Sequence, residues 1–157
     1  METVDLSLLG FGNVGRAFAR LLLEKFGELQ RDHGFKPRIV GIATGSHGVC
    51  INPEGIKLEE LVDAIGSSER LDLNRFNTQA PVSDSYDFIQ QVPAQVLCET
   101  TPVNPQSGLP ALDFLRAGAK RGLHLITANK GPVVFGFREL MELTRQQGKL
   151  FRFESAV

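Results

Sequence analysis

Three groups of residues in this chain have the types and spacing to do chemistry, and each follows an apolar run. The first is Gly10-Phe11-Gly12-Asn13-Val14-Gly15, the Gly-x-Gly-x-x-Gly spacing of a turn that holds a pyrophosphate. Gly10 permits the tight turn, Gly12 lets backbone approach an anion with no Cβ in the way, and Gly15 lets the following helix lie close. A helix N-terminus aimed at the phosphates brings free N–H groups and the positive end of its dipole, so no basic side chain is needed. The second group is Thr100-Thr101-Pro102, which offers hydroxyls, and the third is Asn129-Lys130, which offers one cation.

A glycine-rich turn means little without the elements that place it. Val4, Leu6 and Leu8 alternate with Asp5 and Ser7, a strand pattern running into the turn. After it Val14, Phe18, Leu21, Leu22, Phe26 and Leu29 recur at helical spacing, with Arg16, Arg20, Glu24, Lys25 and Glu28 on the polar face. Gly27, Gly34, Lys36 and Pro37 are read as ending that helix and turning the chain into a second strand, residues 38–44. Residues 57–65 carry a helical face, whereas residues 66–84 are polar and irregular, a surface excursion with no evident chemistry.

Residues 95–99 read as a buried strand that delivers Thr100 and Thr101. Residues 110–120 read as a helix with Pro110 in its first turn and Gly122 past its end. A strand from His124 delivers Asn129 and Lys130, Gly131-Pro132 starts a helix reaching Thr144, and residues 150–157 form a last strand. Alternating strands and helices joined by right-handed crossovers predict an α/β chain, a Rossmann-type doubly wound parallel sheet with helices on both faces. Ligands bind such sheets at the carboxyl ends of the strands, so the three groups should meet in one crevice.

The end of the second strand is where such folds touch the adenosine ribose. An acid there accepts from the 2′-hydroxyl, and a basic residue accommodates a 2′-phosphate. Thr44-Gly45-Ser46-His47 has neither, and Asp32 precedes the strand and reads as a solvated charge. With no carboxylate to repel a phosphate, and with Ser46 and His47 able to donate, NADP should bind no worse than NAD.

At 157 residues, 42% hydrophobic and 22% charged, the chain is one domain large enough for a real core. A formal charge of −1 gives no general field for nucleic acid or anionic membrane. No apolar run is long enough to span a bilayer, and Met1-Glu2-Thr3-Val4-Asp5 is acidic where a signal peptide is basic, so a cytoplasmic protein is expected. Cys50 and Cys98 lack metal or Cys-x-x-Cys spacing and read as small core residues. His33, His47 and His124 are scattered, and only His47 has a site nearby.

Taken together, Gly10-Phe11-Gly12-Asn13-Val14-Gly15, Glu99-Thr100-Thr101-Pro102, Thr127-Ala128-Asn129-Lys130-Gly131-Pro132 and Phe153-Glu154-Ser155-Ala156-Val157 resemble the N-terminal NAD(P)-binding domain of homoserine dehydrogenase. The resemblance covers nearly the whole chain. It implies that Asn13 and Val14 lie along the pyrophosphate, that Thr100 and Thr101 lie near the nicotinamide ribose, and that Lys130 assists within the crevice. With the glycines, Phe11, Thr44 and Ser46 they make up the expected cofactor-binding set. The implied reaction interconverts aspartate semialdehyde and homoserine by hydride transfer with NADP or NAD, a step of threonine and methionine biosynthesis.

The chain departs from the family in two ways. The basic residue after the second strand is missing, and the second domain, which binds the amino-acid substrate, supplies the catalytic residues and forms the homo-oligomer, is absent from residues 1–157. No homoserine turnover is therefore expected of this chain alone. The resemblance also implies part of a sodium site at Glu154 and Val157, against a plainer reading of Glu154 as an edge carboxylate. The glycine turn does not read substrate, so a reductase for another aldehyde or imine, or a nucleotide-sensing module without chemistry, stays open.

Overall fold

The computed structural model describes residues 1–67 and 70–154. Strand β1 (Glu2–Leu9) feeds the glycine turn and helix α1 (Asn13–His33). Then come β2 (Phe35–Ala43), β3 (Val49–Ile51), α2 (Leu58–Gly66), a 3-10 turn (Leu73–Phe76) and α3 (Ser85–Gln91). The second half holds β4 (Val96–Glu99), α4 (Ala111–Lys120), β5 (His124–Thr127), α5 (Lys130–Gln146) and β6 (Phe151–Phe153). The sheet order is β3-β2-β1-β4-β5-β6, with β1 central, so the glycine turn emerges beside the ends of β2 and β4.

The doubly wound sheet is present with one correction: β3 is an antiparallel edge strand, paired Ala43 to Val49. Five residues separate β2 from β3, enough for a tight return but far short of the dozen or so that a parallel crossover requires. Three further details differ from the sequence reading. Helix α1 passes through Gly27 and stops at Gly34, whose φ of 70° and N–H to the Leu29 carbonyl make a left-handed cap. Pro37 lies inside β2, tolerated because β3 pairs only with Gly41 to Ala43 and leaves Pro37 opposite Val4 of β1 alone. The polar excursion buries Leu73 and Phe76, and α3, which begins at its end, is capped by Asp84 accepting from the Asp87 N–H at 2.8 Å.

Each face of the sheet has its own core. On one, α1 and α2 bring Ala19, Leu22, Leu61 and Ile65 against Leu6, Leu8 and Ile39. On the other, α3, α4 and α5 bring Phe88, Leu112, Leu115 and Leu140 against Leu9, Val40, Leu97 and Leu125. Strands covered on both sides carry apolar residues at successive positions, which is why Leu8 and Leu9 are both buried.

Cys50 and Cys98 are free and buried as expected, and burial pushes both thiols up to about 12. Near neutral pH both are therefore uncharged and poor nucleophiles. Ellman's reagent should label neither in the folded chain and both after denaturation, and rapid labelling of either in the native state would contradict the packing around β3 and β4. No described helix is long and apolar enough to cross a membrane.

Candidate functional site

The glycine turn is stitched to both neighbouring strand ends. The Gly10 N–H donates to the Ala43 carbonyl at 2.9 Å, and Thr100 donates through its N–H to the Leu9 carbonyl at 2.8 Å and through Oγ1 to the Gly10 carbonyl at 3.1 Å. Gly10 has φ of 92°, and a Cβ there would stand 2.7 Å from the Thr100 carbonyl carbon. Only glycine fits so close to β4. Gly12 is the opposite case, since a Cβ there would meet nothing within 4 Å. It is the N-cap of α1 and contributes no side-chain cap, which leaves the first-turn N–H groups for a ligand. A Cβ on Gly15 would lie 3.0 Å from the Phe11 ring and 3.1 Å from the Gly10 carbonyl oxygen, so the close approach it allows is to the turn itself. Phe11 is 2% exposed and packs in the core beneath α1, so only its backbone can reach a ligand, whereas Asn13 and Val14 are exposed.

Two cavities flank this turn. One of about 420 Å³ is lined by Gly10, Gly12, Ala43, Thr44, Ser46 and His47 together with Thr100 and Thr101. The other, of about 310 Å³, is lined by Val14, Thr100, Thr101, Val103, Ala128, Asn129 and Lys130. Thr100 and Thr101 line both, so an elongated ligand lying over Gly12 would have one end in each. The three groups singled out in the sequence thus converge as the fold requires.

The wall between β4 and β5 is held by a residue to which the sequence reading gave no role of its own. Glu99 is fully buried, and its carboxylate accepts from the Thr101 N–H at 2.7 Å, Thr101 Oγ1 at 2.5 Å, Thr127 Oγ1 at 2.5 Å and Asn129 Nδ2 at 3.4 Å. Asn129 also donates to the Thr101 carbonyl at 3.2 Å and caps α5 by accepting from the Gly131 N–H at 3.0 Å. The signal was an acid inside an apolar strand, followed by hydroxyls. Lys130, the first residue of α5, is exposed, and it also lines a third cavity with Val133, Val134, Phe153 and Glu154.

Arg16, read from the sequence as part of the polar face of α1, instead bridges the turn and the loop after β2. Its Nε donates to the Phe11 carbonyl at 3.2 Å and its Nη2 lies 3.1 Å from His47 Nε2. Thr44 shapes that loop, Oγ1 accepting from the His47 N–H at 2.7 Å and donating to the Gly48 carbonyl at 3.2 Å. Glu154 is exposed just past β6, with its N–H donating to the Thr127 carbonyl at 3.2 Å, while Val157 lies outside the described residues. Among the described residues no group of three or more His, Cys, Asp or Glu could hold a metal ion, and Glu154 alone does not make up the several oxygens that sodium requires.

No protein-family model matches the chain. Among curated proteins it is 32% identical over 154 residues to the homoserine dehydrogenase of Methanocaldococcus jannaschii, covering 98% of this chain and 45% of that protein. It is 31% identical over 157 residues to the NAD(+)-dependent homoserine dehydrogenase of Pseudomonas canavaninivorans, covering 100% of this chain and 44% of that one. Among solved structures, a hyperthermophilic archaeal homoserine dehydrogenase in complex with NADPH superposes with a TM-score of 0.76 at 23% identity, over 97% of this chain and 44% of that one. The homoserine dehydrogenase of Thermoplasma acidophilum gives 0.74 at 20%, over 98% and 43%. The chain spans a little under half the length of these relatives.

Proposed function

We propose that this chain, a homologue of the homoserine dehydrogenases along its whole length, is the cofactor-binding domain of such an enzyme. The observation that carries the proposal is the open cradle at Gly12, backed by uncapped N–H groups of α1 and set between two cavities. A pyrophosphate over Gly12, Asn13 and Val14 would take those N–H groups. The adenosine would then lie toward Thr44 and Ser46, and the nicotinamide toward Thr100, Thr101 and Asn129. The bound dinucleotide supplies hydride transfer between homoserine and aspartate semialdehyde. The chain's own residues bind and orient it, and Lys130 places a positive charge at the crevice mouth, where it pairs with phosphate or polarises a carbonyl oxygen. The relatives' remaining length would supply the amino-acid site, the proton-transfer groups and the oligomer contacts. Threonine and methionine biosynthesis in the cytoplasm follows from that reading.

Calorimetric titration tests it. NADP or NAD should bind with one site per chain, and homoserine with NADP should give no reduction above background, because substrate positioning and acid–base assistance are missing. A folded chain that binds neither dinucleotide would overturn the proposal. Enzyme-like turnover by this chain would show that it holds catalytic groups of its own. A sodium site at Glu154 and Val157 would need further oxygens from residues beyond them, so in a chain extended to the relatives' full length sodium in place of a bulky organic cation should raise thermal stability.

A further inference from the structure

We infer that Arg16 and Arg70 grip an adenosine 2′-phosphate from either side of the loop after β2, so that this chain selects NADP over NAD. The inference rests on the cofactor reading above and concerns where its charge selectivity comes from. The ribose hydroxyls of a dinucleotide lie at the end of the second strand. Residues 44–48 hold neither an acid nor an arginine or lysine there, yet two guanidinium groups reach that loop from elsewhere in the fold. Arg16 comes from the first turn of α1 and meets His47 Nε2 at 3.1 Å. Arg70 comes from the segment after α2 and donates through Nη2 to the Ser46 carbonyl at 2.9 Å. That segment is fastened by backbone as well, the Leu73 N–H donating to the His47 carbonyl at 2.9 Å.

Neither arginine has a carboxylate partner among the described residues. Among the described residues, Arg16 meets a carbonyl and an imidazole, and Arg70 a carbonyl. Asp72, the nearest acid to Arg70 along the chain among the described residues, has its Oδ1 taken by the N–H and Nδ2 of Asn74 at 3.0 and 2.9 Å. A guanidinium carries five N–H donors, so most of each fork is left for an anion, and a phosphate matches that fork bidentately. His47 adds a separate sign: with Nε2 accepting from Arg16, the ring proton sits on Nδ1, a buried atom with no partner among the described residues. Turning the ring would bring that N–H to the cavity His47 lines, where a phosphate oxygen is an acceptor the loop itself does not supply.

The test measures dissociation constants for NADP and NAD with the chain and its R16Q, R16K and R70Q variants. Adenosine 2′,5′-bisphosphate and AMP serve as probes of the adenosine half. NADP should bind about ten-fold or more tightly than NAD, and R16Q should weaken NADP by about ten-fold or more while changing NAD by less than about two-fold. R70Q should act in the same direction, R16K should recover part of the loss, and the advantage of the bisphosphate over AMP should shrink in R16Q. Equal affinity for NADP and NAD in the unaltered chain, or equal losses for both in R16Q and R70Q, would overturn the inference while leaving the cofactor reading intact. Binding of neither would overturn both. If R16Q does not fold, R16K and R70Q decide the matter by the same ratio.

Discussion

Gly12→Val should abolish dinucleotide binding, by about a hundred-fold or more, and leave the melting temperature nearly unchanged, whereas Gly10→Ala in the same turn should do its damage through the fold. At Gly12 the backbone has φ of −80°, which any residue adopts, and a Cβ would meet no protein atom within 4 Å. The folded chain therefore loses little, but the valine branches fill the space that a pyrophosphate must enter and hold it off the α1 N–H groups. At Gly10 the φ of 92° strains any L side chain, and the added carbon would lie 2.7 to 2.9 Å from backbone atoms of Thr100 and Thr101. Backbone strain and overpacking together put the cost of Gly10→Ala at about 3 kcal/mol, a fall of roughly 6–12 °C in melting temperature for a domain of this size. Calorimetry with NADP and thermal melts on both variants separate the two effects. A folded Gly12→Val that binds as well as the unaltered chain would remove the pyrophosphate from this turn, and a Gly10→Ala that melts normally would mean that β1 and β4 are not so close.

What could be read in the sequence was set by local pattern. The alternation before Gly10, the helical spacing after it and the apolar strands ending in Thr100 and Asn129 each involve neighbours a few residues apart, and the fold brings those ends side by side. The antiparallel β3 was not legible, because three residues, Val49-Cys50-Ile51, carry no period of their own and exist as a strand only by pairing with Gly41 to Ala43. Likewise α3 is a single short helix whose buried Phe88 and Ile89 are set among polar neighbours. Residue roles failed for a related reason. Helical periodicity put Arg16 on a polar face, which is true of its backbone position, but a long side chain in the first turn reaches a loop more than thirty residues away in the sequence. Phe11 sits within the fingerprint yet points into the core, since the turn has an inside as well as an outside.

Glu99→Ala should be the most destabilising change among the site residues, for a reason visible only in three dimensions. The carboxylate collects four donors from two strand ends, the Thr101 N–H and hydroxyl, the Thr127 hydroxyl and the Asn129 amide. A carboxylate that only accepts matches a ring of donors, and its removal takes the acceptor from at least the Thr101 N–H and the buried Thr127 hydroxyl. Each stranded buried donor costs about 1–3 kcal/mol, so Glu99→Ala should lose roughly 3–5 kcal/mol, or at least about 6 °C in melting temperature. Glu99→Gln keeps one acceptor oxygen for Thr101, and its new amide can donate to Thr127 once that hydroxyl turns, so its loss should be nearer 1 kcal/mol. Binding should divide the same way along the dinucleotide. Asn129 lines the proposed nicotinamide cavity and not the adenosine one, while Thr101 lines both, so in either variant that remains folded NADP should weaken by more than adenosine 2′,5′-bisphosphate, which lacks the nicotinamide. If Glu99→Gln were as damaging as Glu99→Ala, the negative charge would matter more than the count of acceptors. If both probes weakened equally, the Glu99 network would support the whole crevice rather than its nicotinamide wall.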